Sequence, residues 1–157
     1  LNNLVDPTVI EELYGASSAG VRVEICARSI CMLRPGVPGL SENVRVRSIV
    51  GRFLEHSRIY AFEAGEEAAV FLGSADLMPR NLDRRIEVLV PAESVRSRQE
   101  LGAVLDSVFA DNTHAWELAA DGSWTRVRVQ GGDKPHHHQA ALMRKAQLRA
   151  RRLTDRK

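Results

Sequence analysis

Lysine is missing from the first 130 residues of this chain, and cysteine occurs only twice in 157 residues. The two thiols, Cys26 and Cys31, stand five positions apart with no second pair and no C-x-x-C spacing. That excludes the usual zinc and redox motifs and leaves buried, reduced thiols as the expectation. No apolar run approaches the roughly 18 residues needed to span a bilayer, and no charged-then-apolar leader opens the chain, so a soluble, cytoplasmic protein is expected. Neither G-x-x-x-x-G-K-[ST] nor G-x-G-x-x-G occurs, which removes support for a P-loop or Rossmann nucleotide site. No pair of carboxylates is spaced for hydrolase acid/base work. The first residue is Leu1 rather than Met, and the opening already reads as a run into a helix, so the chain is expected to be a piece of something longer.

What is present divides into two regions of opposite charge. Residues 1–130 hold 14 arginines against 18 acids, a net charge of −4, while residues 131–157 carry eight Lys/Arg against Asp133 and Asp155. The sequence pI of about 8.8 therefore belongs to the tail and is no nucleic-acid signature of the domain. With 44% hydrophobic residues the chain can bury one globular core. The expected organisation is a domain over 1–130 and a basic tail over 131–157, helical or disordered. Arginine in place of lysine suits phosphate recognition, but a GC-rich genome produces the same bias.

Asp6 as N-cap and Pro7 in the first turn predict a helix ending near Gly20. Val21, Val23 and Ile25 alternate as a strand whose carboxyl end falls at Arg28, where ligands gather in open α/β sheets. Residues 29–43 read as a long ordered loop, and Ile49, Val50, Phe53 and Leu54 fit a short helix. A hairpin follows, with Ile59, Tyr60 and Phe62 on one strand, a turn at 64–67, and Ala69 to Leu72 on the next. This hairpin brings His56 and Ser74 to the same end. A helical turn after Pro79, a strand through Ile86, Val88 and Val90, an amphipathic helix over 93–111 and a hairpin around Asp121-Gly122 complete the domain. The fold class is α/β, a mixed sheet flanked by helices.

The chemistry concentrates around His56, which sits among Arg45, Arg47, Arg52 and Arg58 and precedes Gly73-Ser74-Ala75-Asp76 and Arg80, Arg84 and Arg85. Arginine forks pair bidentately with phosphate oxygens, and a histidine exchanges protons near pH 7. His56-Ser57-Arg58 with Gly73-Ser74-Ala75-Asp76 resembles a degenerate phospholipase-D-type signature, H-x-K on a strand and G-S-x-N on the next element. Arg58, Ser74 and Arg80 are candidate phosphate contacts. Glu42, Glu55 and Asp83 lie near enough in sequence to pair with the arginines. His114 reads as structural or surface. His136, His137 and His138 read as a solvated turn, since three adjacent histidines cannot all face one metal and no ligand set completes them; no metal ligand is assigned.

Two longer stretches carry a wider resemblance. LVDPTVIEELYGASSAGVRVEICARSICMLRPGVPGLSENVRVRSIVGRFLEHSRIYAF and GSADLMPRNLDRRIEVLVP are similar to the C-terminal catalytic domain of bacterial polyphosphate kinase, from Leu1 to about Val129. The resemblance implies a phospholipase-D-like fold and an enzyme that reversibly moves the terminal phosphate of ATP onto polyphosphate through a phosphohistidine, with magnesium. It places Arg28 and His56 at ATP-contacting positions, with His56 touching phosphate and assisting proton movement. The phosphorylated histidine, and the residues that bind magnesium and face adenine, would belong to preceding domains outside this chain. Partners implied are ATP or ADP, polyphosphate, those missing N-terminal domains and further copies in a homo-oligomer. Leu77 replaces the family's usual Trp after S-A-D, and Ser29 its usual Gly after the arginine. Two other readings stay open on the residues alone: a phospholipase-D-type phosphodiesterase or nuclease, and a non-catalytic polyanion-binding module.

Overall fold

A computed structural model describes residues 1–64 and 67–154. Helix α1 (Pro7–Ser18) begins as the sequence requires, with the Asp6 carboxylate accepting the Val9 N–H at 3.0 Å and Pro7 filling a position that needs no donor. It ends where Gly20 takes a positive φ of 86°. Strand β1 (Val23–Cys26) then pairs in parallel with β2 (Val44–Ile49), Val23 opposite Val44 and Cys26 opposite Arg47. The loop that connects them is ordered by Ser41, fully buried, whose hydroxyl accepts from Val37 N–H and donates to Arg34 O.

On its other edge β2 pairs antiparallel with β6 (Ala115–Leu118), which pairs with β7 (Trp124–Arg126). This four-stranded array, in the order β1-β2-β6-β7, is the expected mixed sheet. A second sheet is an antiparallel meander of β3 (Ile59–Ala64), β4 (Glu67–Gly73) and β5 (Leu89–Pro91). Gly65 and Glu66, the centre of the expected hairpin turn, lie outside the described residues. Helix α2 (Pro79–Arg84) lies between β4 and β5 in sequence, α3 (Val95–Ala110) follows β5, and α4 (His138–Thr154) forms most of the tail.

The two sheets are stitched by the first residues rather than by strand pairing. Leu4 forms bridges to both Cys31 and Leu77, and Val5 and Asp6 donate to Leu77 O at 2.9 and 3.0 Å. Leu4 is fully buried and packs with Ile10, Ile25, Ala27, Leu33, Val44 and Val46, which makes it the centre of the main core. A smaller cluster of Ile49, Val108 and Ala115 lies under α3. Both cysteines are free thiols, and burial pushes Cys26 up to about 11. Among the described residues no helix is long and apolar enough to cross a membrane.

Two expectations change. The predicted short helix through Ile49 and Leu54 does not form. Ile49 instead completes β2 opposite Ala115, and residues 50–58 run on as irregular backbone. The strand expected from Ile86 is shorter, starting at Leu89, and Ile86 is wholly exposed.

Arg47, counted above with the phosphate-facing arginines, is one of the most buried side chains, at 2% exposure. Its Nη1 donates to Val108 O at 3.1 Å and Asp111 O at 3.4 Å, with Phe109 O also in contact, so it satisfies the carbonyls at the end of α3. Its Nη2 donates to Glu117 Oε1 at 2.7 Å. Burial alone would raise the Glu117 carboxyl, but Arg47 and Arg45 together hold it below the usual range. Arg47→Met keeps much of the volume and loses every one of these bonds, so a loss of about 2–4 kcal/mol is expected in urea titration. A change under about 0.5 kcal/mol would contradict this structural role.

Candidate functional site

Gly73 N–H donates to Arg58 O at 3.0 Å, one step beyond the Ile59 and Leu72 pair, so the hairpin register extends toward His56 and Ser74. Gly73 itself is needed there, since a Cβ would meet the Tyr60 ring at 3.0 Å and Leu89 at 3.2 Å. At this end of the meander stands Asp76, 5% exposed. Its Oδ1 accepts from Asn2 N–H at 2.9 Å and Arg58 Nε at 3.1 Å. Its Oδ2 accepts from Asn2 Nδ2 at 3.2 Å, Asn3 Nδ2 at 3.1 Å and Arg58 Nη2 at 3.3 Å. Burial alone would raise this carboxyl, yet the Arg58 and asparagine donors outweigh it and bring its pKa down to about 2.

Asp76 thereby places the two residues expected at the phosphates. Asn2, fixed by Asp76, accepts Arg28 Nε on its Oδ1 at 2.8 Å. Arg28 N–H also donates to Leu1 O at 3.1 Å. The two terminal nitrogens of Arg28 engage none of the described residues and remain available to a ligand. On the other side, Arg58 Nη1 lies 3.2 Å from His56 Nδ1 and donates to His56 O at 3.1 Å. The same Nη1 lies 3.5 Å from His56 Nε2, so the guanidinium sits against the ring as a whole and the contact selects neither tautomer. A continuous polar line therefore runs Arg28, Asn2, Asp76, Arg58, His56, with a cation at one end and an exposed imidazole at the other.

The remaining candidates fall elsewhere. Ser74 donates to Glu87, and its Oγ accepts Val88 N–H at 2.9 Å, so the hydroxyl ties β4 to β5. Ser74 and Asn81 donate to Glu87 and lower its carboxyl. Arg80 lies exposed on α2 and makes none of the hydrogen bonds or ion pairs seen among the described residues. Arg45 pairs with Glu117 and Glu24, and Arg85 with Glu87 rather than with Asp83. Among the described residues Glu55 pairs with no arginine; it accepts Gln139 Nε2 at 2.6 Å.

The histidine triplet is not a solvated turn. His138 is 1% exposed, its N–H donates to Asp111 Oδ2 at 2.8 Å, and its Nδ1 lies 3.0 Å from Ser107 Oγ. The ring of His137 stacks on that of His114 at 3.9 Å. Asp111, His114 and His137 bring one ligand-type atom each within 4.8 Å of one another. The Asp111 carboxylate is committed to backbone, however, with Oδ1 accepting from Thr113 and His114 and Oδ2 from His138. The stacked rings also do not splay as two ligands of one tetrahedral ion do. The cluster is a structural junction that fastens the start of α4 to the end of α3.

The family model described as Polyphosphate kinase C-terminal domain 2 matches residues 1–139. The chain belongs to the polyphosphate kinase family. It is 50% identical over 145 residues to a polyphosphate kinase of Pseudomonas aeruginosa, covering 92% of this chain and 21% of that protein. It is 49% identical over 151 residues to a polyphosphate kinase of Streptomyces coelicolor, covering 96% of this chain and 20% of that protein. The chain thus spans about a fifth of the length of these relatives. The crystal structure of polyphosphate kinase from Porphyromonas gingivalis superposes with a TM-score of 0.90 at 38% identity, over 95% of this chain and 23% of that one. The phospholipase-D-like α/β fold expected of this polyphosphate kinase domain is the fold observed.

Sequence reasoning had marked Asp76 only as a departure from G-S-x-N, and had marked neither Asn2, Asn3 nor Gln139. Asp76→Asn in this polyphosphate kinase domain is expected to cost about 1–2 kcal/mol at neutral pH, allowing for solvent at the rim of the site. Its folded pKa lies below the unfolded value of 3.8. The difference between the two forms is therefore complete above about pH 5, shrinks as pH falls and is lost as pH drops through the folded value of about 2. Urea titrations of both forms across that range check the sign, and a gap that widened with acid would refute it.

Proposed function

We propose that this chain supplies one wall of an ATP:polyphosphate phosphotransferase site. The reaction is reversible transfer of the terminal phosphate of ATP to polyphosphate, through a phosphohistidine located outside the chain. The observation that carries the reading is the polar line from Arg28 to His56. It holds a guanidinium with two uncommitted nitrogens and an exposed imidazole in one frame. That frame lies in a chain about half identical to proteins named polyphosphate kinase.

Phosphoryl transfer passes through a loose transition state whose charge spreads over the equatorial oxygens, so positioned donors and cations are the main aid a protein gives. Arg28 serves as a bidentate phosphate contact and electrostatic stabiliser. His56 donates a ring N–H to phosphate and moves a proton as the external histidine attacks and later leaves. Arg58, neutralised by Asp76 and lying against the His56 ring and carbonyl, orients that ring rather than serving as an open cation. Arg80, exposed and unpaired among the described residues, is a further phosphate contact in this reading.

Magnesium does not fit the carboxylates seen here. Asp76 is committed to five donors and Glu87 to Ser74 and Asn81, and Glu55, next to His56, gives Oε1 to Gln139, so no cluster of open carboxylates stands beside Arg28 or His56 among the described residues. The reading accordingly assigns magnesium to residues outside this chain. It also assigns ATP or ADP, polyphosphate and the preceding domains as partners, and a homo-oligomer in the cytoplasm as the setting.

The test uses the full-length protein with labelled ATP and magnesium. Acid-labile histidine phosphate and polyphosphate are expected, and absence of both would refute the reading. Metal-independent cleavage of a phosphodiester would favour the phospholipase-D-type alternative. His56→Ala should lower kcat at least about 100-fold, and Arg28→Ala should lower kcat/KM for ATP by about 10–100-fold. The isolated chain should take up no label.

A further inference from the structure

The segment that presents His56 has almost nothing of its own to hold it. From Gly51 to Ser57 every residue but Glu55 is exposed, and among the described residues none makes a main-chain to main-chain hydrogen bond. Such a segment would sample many backbone states unless something outside it fixed the course. The structure offers one such group. Gln139, 4% exposed in the first turn of α4, accepts Phe53 N–H on its Oε1 at 3.0 Å and donates from Nε2 to Phe53 O at 2.8 Å. Its second Nε2 hydrogen goes to Glu55 Oε1 at 2.6 Å. Both hydrogens of the amide are used, and one residue of an unpaired segment receives the two bonds a neighbouring strand would give.

The fit extends to Gly51. A Cβ at that position would lie 2.5 Å from Gln139 Oε1 and 2.8 Å from its Cδ, although φ there is not in the left-handed region. Glycine is required by the amide, not by the backbone. Gln139 is itself fixed, since its neighbour His138 is buried and donates its N–H to Asp111. His56 is thus constrained from both sides: Gln139 sets the main chain at Phe53 and holds the Glu55 carboxylate, and Arg58 lies against the ring.

We propose that Gln139 is a positioning residue for His56, acting through the Phe53 backbone and Glu55, and that the start of the tail helix is therefore part of the site. The proposal rests on the phosphotransferase reading above. In the full-length protein, Gln139→Ala should lower kcat about 10–100-fold while the melting temperature falls by no more than about 4 °C. Amide exchange in the peptide covering Gly51–Ser57 should quicken at least about tenfold. Gly51→Ala should reproduce the loss by displacing the amide. In the Gln139→Ala background, however, Gly51→Ala should cost less than about threefold more, because the group it displaces is gone.

Gln139→Glu, which sets two carboxylates together, should be at least as damaging as Gln139→Ala. Adding Glu55→Gln should recover part of the activity. A kcat within twofold of wild type for Gln139→Ala, or losses that simply multiply in the double variant, would overturn the proposal. If the wild-type protein makes no polyphosphate, the functional reading falls, and unchanged exchange at Gly51–Ser57 in Gln139→Ala separately refutes the hold.

Discussion

Five hydrogen bonds converge on the Asp76 carboxylate, and the position of every other group in the site follows from them. A buried carboxylate is costly unless its oxygens are satisfied, and here the donors come from two separate stretches of chain, Asn2 with Asn3 and Arg58. The same carboxylate joins the start of the chain to the end of the meander, where strand pairing does not connect the sheets. Removing the charge loosens Arg28 through Asn2 and His56 through Arg58, so fold and site share one weak point.

Local chemistry was legible in the sequence wherever it was local. Asp6 and Pro7 announced α1, and the Asp121-Gly122 turn announced the last hairpin, since caps and turns are built from neighbours. Strand β2 was missed although Val44-Arg45-Val46-Arg47 alternates cleanly. The arginines drew attention as phosphate ligands, while the period of two was the stronger signal. The arginine-rich run and the strand's carboxyl end single out His56 and Arg28, and the family resemblance does so again, but the frame that joins them is not legible. Asn2 lies 74 residues from Asp76, and Gln139 lies 86 from Phe53, and nothing in one stretch names its partner in the other.

The arginines show why composition says little about what a cation does. Arg47 is buried against α3 carbonyls, Arg45 lies on Glu117, Arg58 is neutralised by Asp76, and Arg28 alone on the polar line keeps terminal nitrogens uncommitted. A guanidinium whose donors are already bonded costs the site nothing in charge repulsion but offers a phosphate little. One uncommitted guanidinium on a rigid support gives more to a transition state than several mobile ones, because its ordering is complete before the ligand arrives.

That reasoning also accounts for the exposed course of residues 51–57. A strand partner would order this segment, but it would also cover the edge that the proposed function leaves open to phosphate. A side-chain amide supplies the same two hydrogen bonds at a single residue and leaves the rest of the segment open. The requirement is then transferred to the amide's own anchorage, and the buried Asp111 and His138 junction meets it. The polar groups far from His56 are thus the condition for leaving His56 uncovered.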